Sequence, residues 1–158
     1  MKKLLLVLLG LSVLGQASSQ VTDTLGYAEF MAGTPQLYVS LNGGFAFGNN
    51  GYGDKAKAQS YTHESSFVLK GVLLQFGYAD FSSGDSSSVV RVNVYDNNGF
   101  GVTSWGVSDS IAPDSVLAFV DIPVYNLLDD GGLTMADFSS APIVVNGPFS
   151  VGIDLTFL

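Results

Sequence analysis

Val90-Arg91-Val92-Asn93-Val94-Tyr95, followed by Asp96-Asn97-Asn98-Gly99, is the most regular stretch of the chain. Three valines alternate with Arg91, Asn93 and Tyr95, the period of two expected of a strand with one face in a core. The Asp-Asn-Asn-Gly tetrad closes it with residues suited to a tight turn. Upstream, Phe67 to Phe76 reads Phe-Val-Leu-Lys-Gly-Val-Leu-Leu-Gln-Phe. It is rich in strand formers but lacks clean alternation, which fits either a central strand buried on both faces or a strand kinked at Gly71. Phe81 to Ser88 is a polar turn between the two. Downstream, Val116 to Ile122 is stopped by Pro123, then come Ile143 to Val145 and the Asn146-Gly147-Pro148 turn. Phe149, Val151, Ile153 and Leu155 alternate in a last strand. Leu37, Val39 and Leu41 mark an earlier strand region within Val21 to Ala46, and Leu133 to Phe138 leaves room for one helical turn. Turn signals recurring about every ten residues predict an all-β fold, an antiparallel β-sandwich of jelly-roll-like type.

Composition agrees with a single packed unit. The chain has 158 residues, 47% hydrophobic and 13% charged, enough for one core and too little for two. Lys2 and Lys3, the apolar run Leu4 to Leu14 and the small residues Gly15 to Ser19 have the layout of a signal peptide over residues 1–19, too short to span a bilayer. Cleavage after Ser19 or after Ala17 leaves residues 20–158 as one domain, exported to the periplasm, the cell surface or the medium. Because Lys2 and Lys3 leave with the leader, the net charge moves from −8 to −10. The remaining cations are Lys55, Lys57, Lys70 and Arg91, too few and too scattered for a phosphate backbone or an anionic membrane surface. With no cysteine, the domain has neither disulfide staples nor an acceptor for a lipid anchor, so it is expected not to be an integral membrane protein.

Gly48-Asn49-Asn50-Gly51-Tyr52-Gly53-Asp54-Lys55-Ala56-Lys57-Ala58-Gln59 precedes the apolar strand ending Leu73-Leu74-Gln75-Phe76-Gly77. The strand Val90 to Tyr95 follows, and late in the chain comes Gly147-Pro148-Phe149-Ser150-Val151-Gly152-Ile153-Asp154. In order and spacing this resembles the amino-terminal β-sandwich region of Bacteroidota proteins exported by the type IX secretion system. Such proteins typically end in a separate sorting domain. This chain stops at Leu155-Thr156-Phe157-Leu158, where the resemblance implies further strands, so the expectation is a sandwich incomplete at its C-terminus, a fragment of a longer protein. The resemblance supplies no catalytic residue.

The chemistry available is sparse. His63 beside Glu64 is the one general-base pair, and neighbours in a strand point to opposite faces. No Gly-x-Ser-x-Gly elbow, His-Glu-x-x-His helix or phosphate-binding loop occurs, so the chain is expected not to be an enzyme. Ca²⁺ is the one metal whose hard oxygen ligands are plentiful. Asp129 and Asp130 in Asp-Asp-Gly-Gly are the better candidate ligands, ahead of the Asp96 turn, which lacks a downstream glutamate. Tyr52, Tyr95 and Trp105 are the candidates for stacking on glycans, with Tyr95 placed by alternation on the face opposite Val92 and Val94. Gly48, Gly51, Gly53 and Asp54 read as a structural loop, its glycines supplying positive φ and Asp54 accepting hydrogen bonds. These features predict a secreted, non-catalytic module with a structural or adhesive role, its partners glycans or other cell-surface proteins. The alternatives are a carbohydrate-binding module and a small outer-membrane barrel, the latter disfavoured by the apolar residues Val68-Leu69 and Val72-Leu73-Leu74 in a lumen that should be polar.

Overall fold

A computed structural model describes residues 23–26, 53–77, 87–103, 106–128 and 131–158. The chain divides into two compact units, Met1–Thr34 and Pro35–Leu158. Of the first, residues 23–26 are exposed chain without a regular element.

Among the described residues of the second unit, alternating and apolar segments become ten strands. They are β1 (Ala56–Tyr61), β2 (Phe67–Leu69), β3 (Gly71–Gln75), β4 (Val89–Asp96), β5 (Gly99–Thr103), β6 (Gly106–Ala112), β7 (Val116–Pro123), β8 (Leu133–Asp137), β9 (Ile143–Val145) and β10 (Phe149–Asp154). A single 3₁₀ turn, Val124–Asn126, follows Pro123. No helix among the described residues is long and apolar enough to cross a membrane.

The pairing is nested. β5 pairs β6, β4 pairs β7, β3 pairs β8, β2 pairs β9 and β1 pairs β10, all antiparallel. The chain is thus one long hairpin wrapped on itself, the scheme of a jelly roll. The pairing of β10 with β4 lies outside the nested series and closes a four-stranded sheet in the order β1-β10-β4-β7. The two short ladders β2–β9 and β3–β8 form the opposing layer, and the Phe138 N–H, donating to the Lys70 carbonyl at 2.8 Å, bridges the step between them.

The core lies between these layers. Val92, Val94, Ile122 and Phe149 enter it from the four-stranded sheet, and Ala136, Phe138 and Val145 from the other side. On β4 the valines make continuous rows: Val92 faces Ile153 and Val120, and Val94 faces Val151 and Ala118. At one end Phe149 stacks on Tyr61 with ring centroids 5.3 Å apart and meets the edge of Phe67 at 5.5 Å.

The strands expected at Val90–Tyr95, Val116–Ile122, Ile143–Val145 and from Phe149 are present. Leu133 to Phe138 is not a helical turn but strand β8. Thr134, Ala136 and Phe138 are buried while Leu133, Met135 and Asp137 are exposed, so the segment has a period of two. Phe67 to Phe76 is kinked rather than buried on both faces: the break falls at Lys70, and Val68 and Leu73 remain exposed. Gly71 leaves room at that step. A Cβ there would stand 2.6 Å from Met135 Cε, so its absence lets the methionine lie across the strand. The Leu37-Val39-Leu41 region lies outside the described residues, as does most of the Phe81–Ser88 turn.

Val92 has no exposure and belongs to the apolar core cluster, so a carboxylate there loses its hydration. Val92→Asp is expected to cost at least about 4 kcal/mol, enough to abolish the cooperative melt of a domain of this size. Thermal melting followed by circular dichroism checks this; a wild-type transition would overturn the assignment of the core.

Candidate functional site

The outer face of the four-stranded sheet collects the polar partners of the buried valines. Arg91, Asn93 and Tyr95 project from β4, beside Ser150, Gly152 and Asp154 of β10 and Asp121 and Phe119 of β7. Each of these β4 residues is engaged. Arg91 forms a two-pronged contact with Asp121, Nε to Oδ1 at 2.7 Å and Nη2 to Oδ2 at 2.9 Å. Its guanidinium also lies between two rings, 4.1 Å from the centroid of Phe119 and 4.2 Å from that of Phe157. Phe157 is brought there by the chain after β10, whose Phe157 carbonyl accepts the Val89 N–H at 3.1 Å. The hydrogen bonds from Arg91 hold the Asp121 carboxyl below its usual range, working against partial desolvation.

Tyr95 does stand opposite Val92 and Val94, but half-buried. A Cβ on Gly152 would come within 3.1 Å of Tyr95 Cε2, so the ring lies over the glycine of the neighbouring strand. Its hydroxyl accepts the Asn93 side-chain amide at 2.9 Å. Beyond it, fully buried Ser150 donates through Oγ to Asn97 Oδ1 at 2.6 Å and lies 2.9 Å from Ser60 Oγ.

The Asp96 turn is occupied by its own chain. The Asp96 carboxylate accepts Asn98 Nδ2 at 3.0 Å and the Ser115 N–H at 2.9 Å, tying the strand end to the start of β7. Among the described residues no three acidic or histidine side chains are grouped to hold a metal ion. In the glycine-rich loop, Gly53 has φ +74° with open space around its Cβ position, and Asp54 pairs with the Lys57 ammonium. His63 sits in the turn between β1 and β2 rather than in a strand. Its ring meets the edge of Phe67 at 5.0 Å, and Nδ1 lies 2.7 Å from the Ser65 carbonyl, the geometry of a donated hydrogen bond. Gly48, Gly51, Tyr52, Trp105, Asp129 and Asp130 lie outside the described residues.

Two surface features were not anticipated from the sequence. An open groove of about 420 Å³ runs between β7 and β8, lined by Val120, Ile122, Leu128 and Met135, with Asp121 and Asp137 at its margins. Both carboxyls are held below their usual range, Asp121 by Arg91 and Asp137 by the Ser139 side chain and N–H. The second feature is the outer face of the β2–β9 and β3–β8 ladders. Val68 is paired with Val144 and Leu73 with Met135, and all four side chains are exposed. The signal was present in the unbroken apolar character of Phe67 to Phe76, which a half-exposed strand does not require.

The chain matches no protein-family model, no curated protein and no solved structure.

Because Asp121 titrates lower in the folded state than in the unfolded chain, its contribution to stability is present above the unfolded carboxyl range and lost as pH falls through the folded value. Arg91→Met keeps an apolar stem between the rings and removes the charge. The variant should be less stable than wild type at pH 7, with the gap narrowing below about pH 4 as Asp121 protonates. Urea unfolding between pH 7 and pH 3 measures it; a gap independent of pH would show that the ion pair is not the stabilising element.

Proposed function

We propose that this chain is an exported, non-catalytic β-sandwich module with a structural or adhesive role at or outside the cell surface. The observation that carries the proposal is the apolar outer face of the second layer, where an antiparallel sheet facing water ordinarily presents polar side chains. A sandwich that seals its core with one set of apolar residues and displays another has a second surface to place against something. The leader-like N-terminus and the acidic mature chain support export and a soluble exterior. The jelly-roll scheme serves capsid and lectin domains alike, so it does not choose between roles.

A carbohydrate-binding module is the competing reading: among the described aromatics Phe100 and Tyr125 stand exposed, while others are engaged within the fold. Tyr95 is committed to Gly152 and Asn93, Tyr61 to Phe149, and Phe119 and Phe157 to Arg91. An outer-membrane barrel needs a polar lumen, whereas Val92, Val94, Ala136 and Val145 fill the space between the layers here.

Expressed in a Gram-negative host, the protein should be recovered from the periplasm with Gln20 or Ser18 first. Beads coated with that mature form should adhere to cells of a Bacteroidota species, and adhesion should survive periodate oxidation of surface glycans. Loss of adhesion after periodate would favour the carbohydrate reading. Absence of adhesion to treated and untreated cells alike would overturn the proposal.

A further inference from the structure

We infer that Asn146 is a self-modification site of this domain: its side-chain amide is lost to attack by the Gly147 backbone nitrogen, leaving aspartate or isoaspartate at the β9–β10 turn. The inference is independent of the adhesive reading above.

Four asparagines precede a glycine, Asn42, Asn50, Asn98 and Asn146, and glycine lacks the Cβ that hinders approach of its nitrogen to the preceding side chain. Asn42 and Asn50 lie outside the described residues. Asn98 and Asn146 are both exposed at strand ends, so solvent access does not separate them. Their hydrogen bonds do. Ser66 Oγ donates to Asn146 Oδ1, the oxygen that gathers negative charge when the amide carbon is attacked. Asn98 is held from its other end. Its Nδ2 donates to the Asp96 carboxylate at 3.0 Å, which ties up the leaving group and sets an anion beside a carbon whose oxygen would become one.

The attacking nitrogens differ as well. Gly147 lies between β9, which ends at Val145, and β10, which begins at Phe149, so its N–H is outside both ladders. With φ +83° and nothing within 4 Å of its Cβ position, it has room to turn. Gly99 is the first residue of β5, paired with Ala112, and a Cβ there would stand 2.7 Å from the Pro113 carbonyl oxygen. One nitrogen can swing toward its amide; the other is packed into a hairpin.

In the reaction the Gly147 nitrogen bonds to Asn146 Cγ, the Cγ–Nδ2 bond breaks, and the Gly147 proton leaves with the ammonia. Water then opens the five-membered imide at either carbonyl, giving aspartate or isoaspartate with no oxidant or reductant. Each product adds one negative charge. Isoaspartate also lengthens the backbone by one carbon between Val145 and Phe149, both residues of the core cluster.

Incubation of the mature chain at physiological temperature and mildly alkaline pH, followed by chymotryptic peptide mapping, tests the inference, since deamidation adds about 1 Da per site. The Asn146 peptide should gain that mass at least about fivefold faster than the Asn98 peptide, the worth of one hydrogen bond. Ser66→Ala should slow Asn146 by a similar factor and leave Asn98 unchanged, whereas Ser66→Thr, which keeps the hydroxyl, should react like wild type. In concentrated urea the two asparagines should react alike and Ser66→Ala should have no effect. Equal rates in the folded wild type, a rate at Asn146 unchanged or raised by Ser66→Ala, or a difference between the sites that persists in urea would each overturn the inference. The wild-type comparison, folded against unfolded, decides the matter even where Ser66→Ala fails to fold.

Discussion

Strand β4 is held on all the sides that matter, and the rest of the domain is arranged around that fact. Its neighbours β10 and β7 satisfy both hydrogen-bonding edges, and its valines meet the second layer with no exposure at Val92 and Val94. With no cysteine in the chain, burial of this column does the work that disulfides do in many exported domains. The β4–β10 contact is also what turns a nested hairpin into a closed sandwich. Nested pairing alone would leave β1 and β10 as a distant tip; pairing β10 with β4 brings the end of the chain back to its centre. The alternation of β4 therefore acts twice, filling the core and setting the register of the strand that closes the fold.

The reverse side of the same strand is equally committed. Arg91, Asn93 and Tyr95 occupy positions that alternation assigns to solvent, yet each is bound across a strand boundary. Arg91 is bound to Asp121 and two rings, while Asn93 and Tyr95 join one another above Gly152. A guanidinium serves Arg91's position better than an ammonium would, since a planar fork can meet a carboxylate edge-on while its faces contact Phe119 and Phe157. Through Phe157 this node also fastens the residues after β10 against the start of β4. Tyr95, the residue of that face that looked most available, is thus engaged within the fold.

What could be read directly from the sequence was local. The strand at Val90–Tyr95 and the ends of β7 and β10 were legible because period-two patterns and turn residues act within a few positions. Leu133–Phe138 was misread because six residues can fit either period, and the burial of Ala136 and Phe138 that decides the matter depends on the opposing layer. β1, β5 and β6 left weak signals because Ala-Lys-Ala-Gln-Ser-Tyr and the glycine-bearing hairpin are poor strand formers, sustained by pairing rather than propensity. The state of Tyr95 was legible only in part. Its side of the strand follows from alternation, whereas its covering of Gly152 needs the β10–β4 register. The Arg91–Asp121 pair likewise joins residues 30 apart, which no local pattern links.

The two outer faces of the sandwich differ in kind, and the difference bears on how so apolar a chain stays in solution. The large sheet engages Arg91, Asn93 and Tyr95 in internal contacts yet leaves Leu117 and Phe119 of β7 exposed, and the smaller layer leaves Val68, Leu73, Met135 and Val144 exposed. A chain with 47% hydrophobic and only 13% charged residues has few charges with which to screen such a surface. Those it has are mostly acidic and spread singly along the chain, which favours mutual repulsion between copies.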